Sequence, residues 1–239
     1  MGIQTRTIDY LHNGVPLEGV LAWDDALEGP RPAVLVSHAW GGRDAFAVDK
    51  ARALAEQGYA GFALDMYGKG VLSAGPEESA RLMGPFMADR ALLQGRQRAA
   101  LDAVRSQPEV DSARVAAIGF CFGGLCVLDL ARSGADVRGV VSFHGLFTPP
   151  DNLPDTLISA KVLAMHGYDD PMVPPEQVLA LAGELTRAGA DWQLHAYGGT
   201  VHAFTNPQAN DPGFGTVYKA EADRRSWQSM RNFLAEVLN

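Results

Sequence analysis

One stretch, Arg114–Gly124 (RVAAIGFCFGG), constrains the fold of this chain more than any other. An apolar run with β-branched residues (Val115, Ala116, Ala117, Ile118) ends in Gly119-Phe120-Cys121-Phe122-Gly123-Gly124, and a helix-like pattern follows. The pattern predicts a strand, a sharp turn and a helix. The turn carries G-x-C-x-G-G, a nucleophile elbow with cysteine where serine usually stands. The spacing has a steric cause. A nucleophile in a strained turn leaves no room for side chains two residues before and after it, and Gly119 and Gly123 supply none. A helix starting at Cys121 would also set its N-terminal amides and positive dipole end beside the sulfur, favouring thiolate over thiol. The alternative is a Gly-bounded strand end with a buried, inert cysteine.

The 239 residues, 47% apolar and 20% charged, suffice for a continuous core in one α/β domain spanning 1–239. A net charge of −8 argues against nucleic acid or an anionic membrane surface as partner. Cys121 and Cys126 would point in roughly opposite directions on one helix, which disfavours a disulfide and fits a reducing compartment. The polar N-terminus lacks a signal-peptide apolar region, and no run approaches the ~20 apolar residues of a spanning helix. A cytoplasmic protein, monomer or homodimer, is the expectation.

Strand-like runs alternate with amphipathic stretches, which predicts a mostly parallel central sheet with helices on both faces. Thr5–Tyr10 and Leu17–Ala22, separated by His12-Asn13-Gly14, read as an N-terminal antiparallel hairpin. The stretch 67–85 is rich in Gly, Ser and Pro and reads as irregular, part of a variable, cap-like segment over 67–90. A long helix is expected from about Met87 to Ser106, and a closing helix over Val217–Leu238.

A cysteine nucleophile needs a base and a group to orient that base. After the strand beginning at Val162 comes His166-Gly167-Tyr168-Asp169-Asp170-Pro171-Met172-Val173-Pro174. This matches the H-G-x-x-D-x-x-V-P turn that carries the triad acid in many α/β-hydrolases, at Asp170. Asp169 is the rival, although Asp beside a turn also acts as a simple cap. Farther on, Tyr197–Pro207 (YGGTVHAFTNP) puts His202 in a Gly-rich loop after the last strand, completing the chain order nucleophile, acid, base. Among the other histidines, His12 reads as solvated and His195 as a surface residue. His166 is expected to bond within its turn, and His144 to face the pocket or satisfy a carbonyl. No spacing resembles a zinc site, so neither metal nor cofactor is implied. Ser37-His38-Ala39-Trp40-Gly41-Gly42 follows a strand and sits where a loop would supply the second oxyanion amide, Ala39, beside that of Phe122.

Taken together, AVLVSHAWGG, GFCFGG, HGYDDPMVP and VHAFTNP resemble the dienelactone hydrolase family, the cysteine branch of the α/β-hydrolase fold. The resemblance implies Cys121 as nucleophile, Asp170 as acid, His202 as base, and the amides of Phe122 and Ala39 as oxyanion hole. Two positions depart from the family's best-known members. A glutamate that modulates the resting thiol is replaced by His38, which would either take over as a thiol-modulating group or abandon that role. An arginine that binds the substrate carboxylate is replaced by Asn206, with Arg81 and Arg90 as conceivable substitutes. The implied activity is hydrolysis of small esters or lactones with good leaving groups (enol or aryl) through an S-acyl enzyme, with activated phosphate triesters as a side activity. Trp40, Phe46, Tyr67, Phe86, Phe122, Phe143 and Phe204, with Asn206, are candidates to line the substrate pocket. The competing classes are a non-catalytic binding protein and a redox-responsive thiol protein of the same fold.

Overall fold

The computed structural model describes residues 2–153 and 156–239. The chain opens with β1 (Ile3–His12) and β2 (Val15–Asp24), joined through Asn13 and Gly14. Both linking residues have positive φ, 51° and 76°, the backbone of a two-residue turn that matches strand twist. There follow β3 (Arg31–Ser37), α1 (Ala45–Ala55), β4 (Ala60–Ala63), α2 (Pro76–Ala88), α3 (Arg90–Arg105), β5 (Val110–Phe120) and α4 (Phe122–Arg132). The second half contributes β6 (Gly139–Phe143), β7 (Lys161–Gly167), α5 (Pro175–Arg187), β8 (Trp192–Tyr197), the short β9 (Asn210–Asp211) and β10 (Thr216–Val217), and α6 (Ala220–Leu238).

Eight strands form one sheet in the order β1-β2-β4-β3-β5-β6-β7-β8. The hairpin and the β2–β4 pair are antiparallel, and every later pair is parallel. Central strands such as β4 and β6 are buried at every residue because helices cover both faces. On one face α1 and α6 pack Leu54, Met230, Phe233 and Leu234 against Val34, Val36, Ile118 and Val141. On the other, α3, α4 and α5 pack Leu93, Leu101, Leu125, Leu128 and Leu181 against Leu35, Ala117, Val140 and Val162.

Two boundaries differ from the sequence expectation. The stretch read as irregular contains α2, which starts with Pro76 and carries Glu77 and Glu78 in its first turn, both favourable at a helix N-terminus. The expected long helix starts later, at Arg90. Asp89 is extended (φ −126°, ψ 92°) and its carboxylate accepts the Leu92 N–H, ending α2 and capping α3 in one residue. Val217 belongs to β10 rather than to the closing helix. His12 is half-buried against Gly95 of α3 rather than solvated.

Candidate active site

The carboxyl ends of the parallel strands gather the chemistry-bearing residues at one edge of the sheet, where open α/β folds bind ligands. Strand β5 delivers Cys121, β6 delivers His144, β7 delivers Asp170, and the loop after β8 delivers His202. Cys121 adopts φ 56°, ψ −117°, a conformation a non-glycine residue occupies only under constraint. Two glycines make that turn possible. A Cβ on Gly119 would lie 2.0 Å from the Gly123 carbonyl oxygen, and one on Gly123 would lie 2.1 Å from that of Ser37.

The strained turn is also tied down. The Cys121 N–H is shared between the Phe143 carbonyl at 3.0 Å and Nδ1 of His144 at 3.2 Å. Because Nδ1 accepts, the His144 ring carries its proton on Nε2, which donates to Thr205 Oγ1 at 2.8 Å. Burial, reinforced by the neighbouring His202 charge, holds His144 well below the usual histidine range, so it stays neutral. His144 thus spans Cys121 and the loop that carries His202. The sequence signal for it is slight, a histidine at a strand end, and its positive φ of 39° is visible only in the fold.

Asp170 is buried and uses both carboxylate oxygens. Oδ1 accepts the Met172 N–H at 2.8 Å and Oδ2 lies 2.7 Å from Nδ1 of His202. Asp169 instead accepts the Thr200 N–H at 3.2 Å, bracing the loop that carries His202. Of the two carboxylates, that of Asp170 is the one bonded to His202. His202 is held from the other side by the β10 region, with its N–H on the Gly215 carbonyl and the Val217 N–H on its own carbonyl.

The remaining ring nitrogen, Nε2 of His202, is buried, meets no oxygen or nitrogen, and turns to the sulfur of Cys121. Enclosure by the walls alone would push the thiol up; the His202 charge, with the backbone N–H groups of Phe122 and Trp40, reverses this and leaves it lowered. Burial alone would likewise push His202 down, yet the sulfur and Asp170 raise it well above the ordinary histidine range. Both directions favour a thiolate–imidazolium pair.

Several expected roles are corrected. Ala39 and Trp40, from the loop after β3, both line the cavity beside Cys121. His38 has no ring nitrogen left for the thiol. Its Nδ1 donates to the Ala39 carbonyl at 2.6 Å and its Nε2 accepts the Met66 N–H at 3.2 Å, so it is a neutral, buried ring. His166 does not bond within its turn: both its nitrogens are buried without a partner.

The cavity over Cys121 measures about 730 Å3 and is walled by Trp40, Phe46, Phe120, Leu146, Met172 and Phe214 among others. Trp40, Phe46 and Asn206 line it as expected. Tyr67, Phe86, Phe122, Phe143 and Phe204 do not. Tyr67 and Phe86 stack behind Phe122, Phe143 stacks on Phe120 beneath the floor, and Phe204 packs edge-on to His144 and Tyr197. Phe214, on the β9–β10 turn, is stacked on Trp40 at 5.9 Å and covers the mouth. Among the described residues, the wall contains Asp44 and Asp49 and no lysine or arginine. Arg81 is exposed and paired with Glu78, and Arg90 is buried in a two-point ion pair with Asp129, so neither substitutes for a carboxylate-binding arginine. A separate hollow of about 520 Å3, lined by Arg132, Glu184 and Arg187, carries no triad residue.

Among the described residues no group of His, Cys, Asp and Glu is placed to hold a metal, no helix is long and apolar enough to cross a membrane, and both cysteines are free.

The arrangement has counterparts in known proteins. A dienelactone hydrolase-like promiscuous phosphotriesterase from metagenomic libraries is 39% identical, superimposes with a TM-score of 0.96, and is covered over 100% of both chains. An uncharacterized protein of Caenorhabditis elegans is 39% identical over 148 residues, 61% of this chain and 94% of that one. The "Putative carboxymethylenebutenolidase" of Aquifex aeolicus is 26% identical over 241 residues, covering 98% of this chain and 99% of its own. The dienelactone hydrolase family profile matches residues 17–238, and with the eight-stranded, mostly parallel sheet this makes the chain a member of that family of lactone and ester hydrolases, built on the α/β-hydrolase fold.

Proposed function

We propose that this protein hydrolyses small, uncharged esters and lactones with good leaving groups, through a thioester on Cys121. The observation that carries the proposal is the alignment Asp170–His202–Cys121, a 2.7 Å carboxylate–imidazole bond whose far nitrogen turns to a lowered thiol. The thiolate adds to the substrate carbonyl, and the oxygen takes up the electron pair beside the Phe122 and Ala39 amides. The intermediate collapses by expelling the alkoxide, which receives the proton from Nε2 of His202. Neutral His202 then takes a proton from water as the water oxygen adds to the thioester. Collapse of this second intermediate releases the acid and the thiolate and restores the starting pair. Asp170 holds the ring in the tautomer that keeps Nε2 toward the sulfur and offsets the imidazolium charge.

A thiolate leaves a tetrahedral intermediate more easily than an alkyl alkoxide does, so enol and aryl esters are favoured over alkyl esters. Asp44, Asp49 and the uncharged Asn206 in the cavity wall disfavour carboxylated lactones. A second reaction, on activated phosphate triesters, is supported by the relative named a promiscuous phosphotriesterase and by the absence of charge on such substrates. The test is steady-state hydrolysis of p-nitrophenyl acetate, a dienelactone and an aryl phosphate triester by the wild type and Cys121→Ser. Aryl-ester turnover that collapses in the variant, with little on the carboxylated lactone, is expected. A folded wild type without ester turnover would overturn the proposal and favour a binding or redox-responsive thiol protein.

A further inference from the structure

We propose that His144 is a positioning residue that sets Cys121 and His202 in register, a role that rests on the Cys121 chemistry proposed above. Its ring touches both residues. Nδ1 accepts the Cys121 N–H at 3.2 Å, and the ring edge meets that of His202 at 5.2 Å between ring centres. On the far side, Nε2–H donates to Thr205 Oγ1 at 2.8 Å, on the loop that carries His202. The elbow follows β5 and that loop follows β8, so one side chain from the end of β6 joins two segments far apart in the chain.

Both segments need such a tie. Among the described residues, four non-glycine residues have positive φ, and three of them are Cys121, His144 and Ala203, at 56°, 39° and 56°. Left-handed backbone at such residues persists only where the surroundings over-determine it. The ring is itself fixed from outside the site. The His144 N–H is bound to the Met165 carbonyl of β7 at 2.8 Å, and a Cβ on the following Gly145 would lie 2.8 Å from the Gly124 carbonyl carbon of α4. Phe204 packs edge-on to the ring at 5.0 Å, and His144 is 2% exposed. Its two bonds require opposite roles of the two nitrogens, which the neutral Nε2–H tautomer alone supplies. Moving a proton through the ring would break one of them, so His144 holds the pair and does not shuttle for it.

Thr205→Val removes the acceptor at Nε2 with almost no change in shape. His144→Phe keeps a ring in the same space and removes both bonds. The experiment measures kcat and KM for p-nitrophenyl acetate, and the pH midpoint of Cys121 alkylation by iodoacetamide, in the wild type, the two single variants and the double variant. The expected kcat falls by about 10-fold in Thr205→Val and about 100-fold in His144→Phe, with KM within about threefold of wild type. The alkylation midpoint moves up in both, because a pair out of register loses part of what lowers the thiol. The double variant falls no further than His144→Phe, since both changes cut one linkage. A ring that merely fills space predicts wild-type behaviour of Thr205→Val in both readouts, and that result overturns the role of His144. Losses that multiply in the double variant, with the midpoint unmoved, overturn it as well. A wild type that alkylates with a low midpoint but hydrolyses no ester overturns the proposed function instead, and the midpoints of the variants still decide for or against His144.

Discussion

Replacing Asp170 with asparagine removes one charge from the triad and leaves its shape almost unchanged. Oδ1 of Asp170 is bound to the Met172 N–H at 2.8 Å, so the amide oxygen of the new side chain must stay on that side. Its NH2 group is then presented to Nδ1 of His202, where the carboxylate oxygen stood at 2.7 Å. Two N–H groups cannot face each other. The neutral ring adopts the other tautomer, with its proton on Nε2, and the doubly protonated ring loses both a counter-charge and a hydrogen bond. The thiolate loses its partner with it, so the lowered Cys121 thiol moves back up. Loss of the corresponding carboxylate in serine triads costs about 10⁴ in turnover, roughly 5.4 kcal/mol. A thiol ionises more readily than a hydroxyl, so about 10² to 10³ in kcat/KM, roughly 2.7 to 4.1 kcal/mol, is expected here. The assay is kcat/KM for p-nitrophenyl acetate at neutral pH, with the ultraviolet thiolate band titrated in parallel. A loss below about tenfold, with the thiolate titration unmoved, would refute the coupling of Asp170 to the sulfur through His202.

Productive attack needs the thiolate and protonated His202 together, so kcat/KM should rise with an acid-limb pKa below the ordinary thiol value and fall on an alkaline limb near 10, where His202 loses its proton; a pH–rate profile that keeps rising past that limb would contradict the ion pair. Gly123→Ala should lower stability by about 3 kcal/mol or more in urea unfolding, because its Cβ would meet the Ser37 and His38 carbonyl oxygens at 2.1 and 2.6 Å, and backbone cannot rotate away. Phe214→Ala should raise KM for aryl esters while leaving the melting temperature nearly unchanged, since this ring is 50% exposed and its stacking partner is Trp40 at the cavity mouth. Asp49→Asn should raise kcat/KM for an anionic aryl ester relative to a neutral one by about two- to fivefold, the range a solvent-screened charge of ~0.5–1 kcal/mol allows, with the ratio measured at low salt.

Much of the site was legible because its chemistry is local in sequence. The elbow states its own steric problem through Gly119 and Gly123, and the turn after β7 sets Asp170 one residue from its rival. What escaped depends on contacts across the chain. His38 looked like a thiol partner because it occupies the right loop, but its ring is claimed by Met66, 28 residues away just past the end of β4. Five of the aromatic pocket candidates pack in the interior, since an aromatic residue near a motif can turn to either side of the sheet. Phe214 escaped because a single ring on a polar turn has no periodicity to mark it. Helix α2 was hidden by Gly75, Pro76, Gly84 and Pro85, residues that normally interrupt helices; here Pro76 opens the helix and Pro85 lies within its last turn.

The most direct test of the central claim is to mix the wild type with p-nitrophenyl butyrate, quench in acid during the burst, and map the acyl group by peptide mass spectrometry. A butyryl adduct on the peptide bearing Cys121, formed in step with a stoichiometric burst of p-nitrophenol and lost on further turnover, is the predicted result. Turnover that continues in Cys121→Ala, or an acyl group found on another residue, would contradict a thioester mechanism at this site.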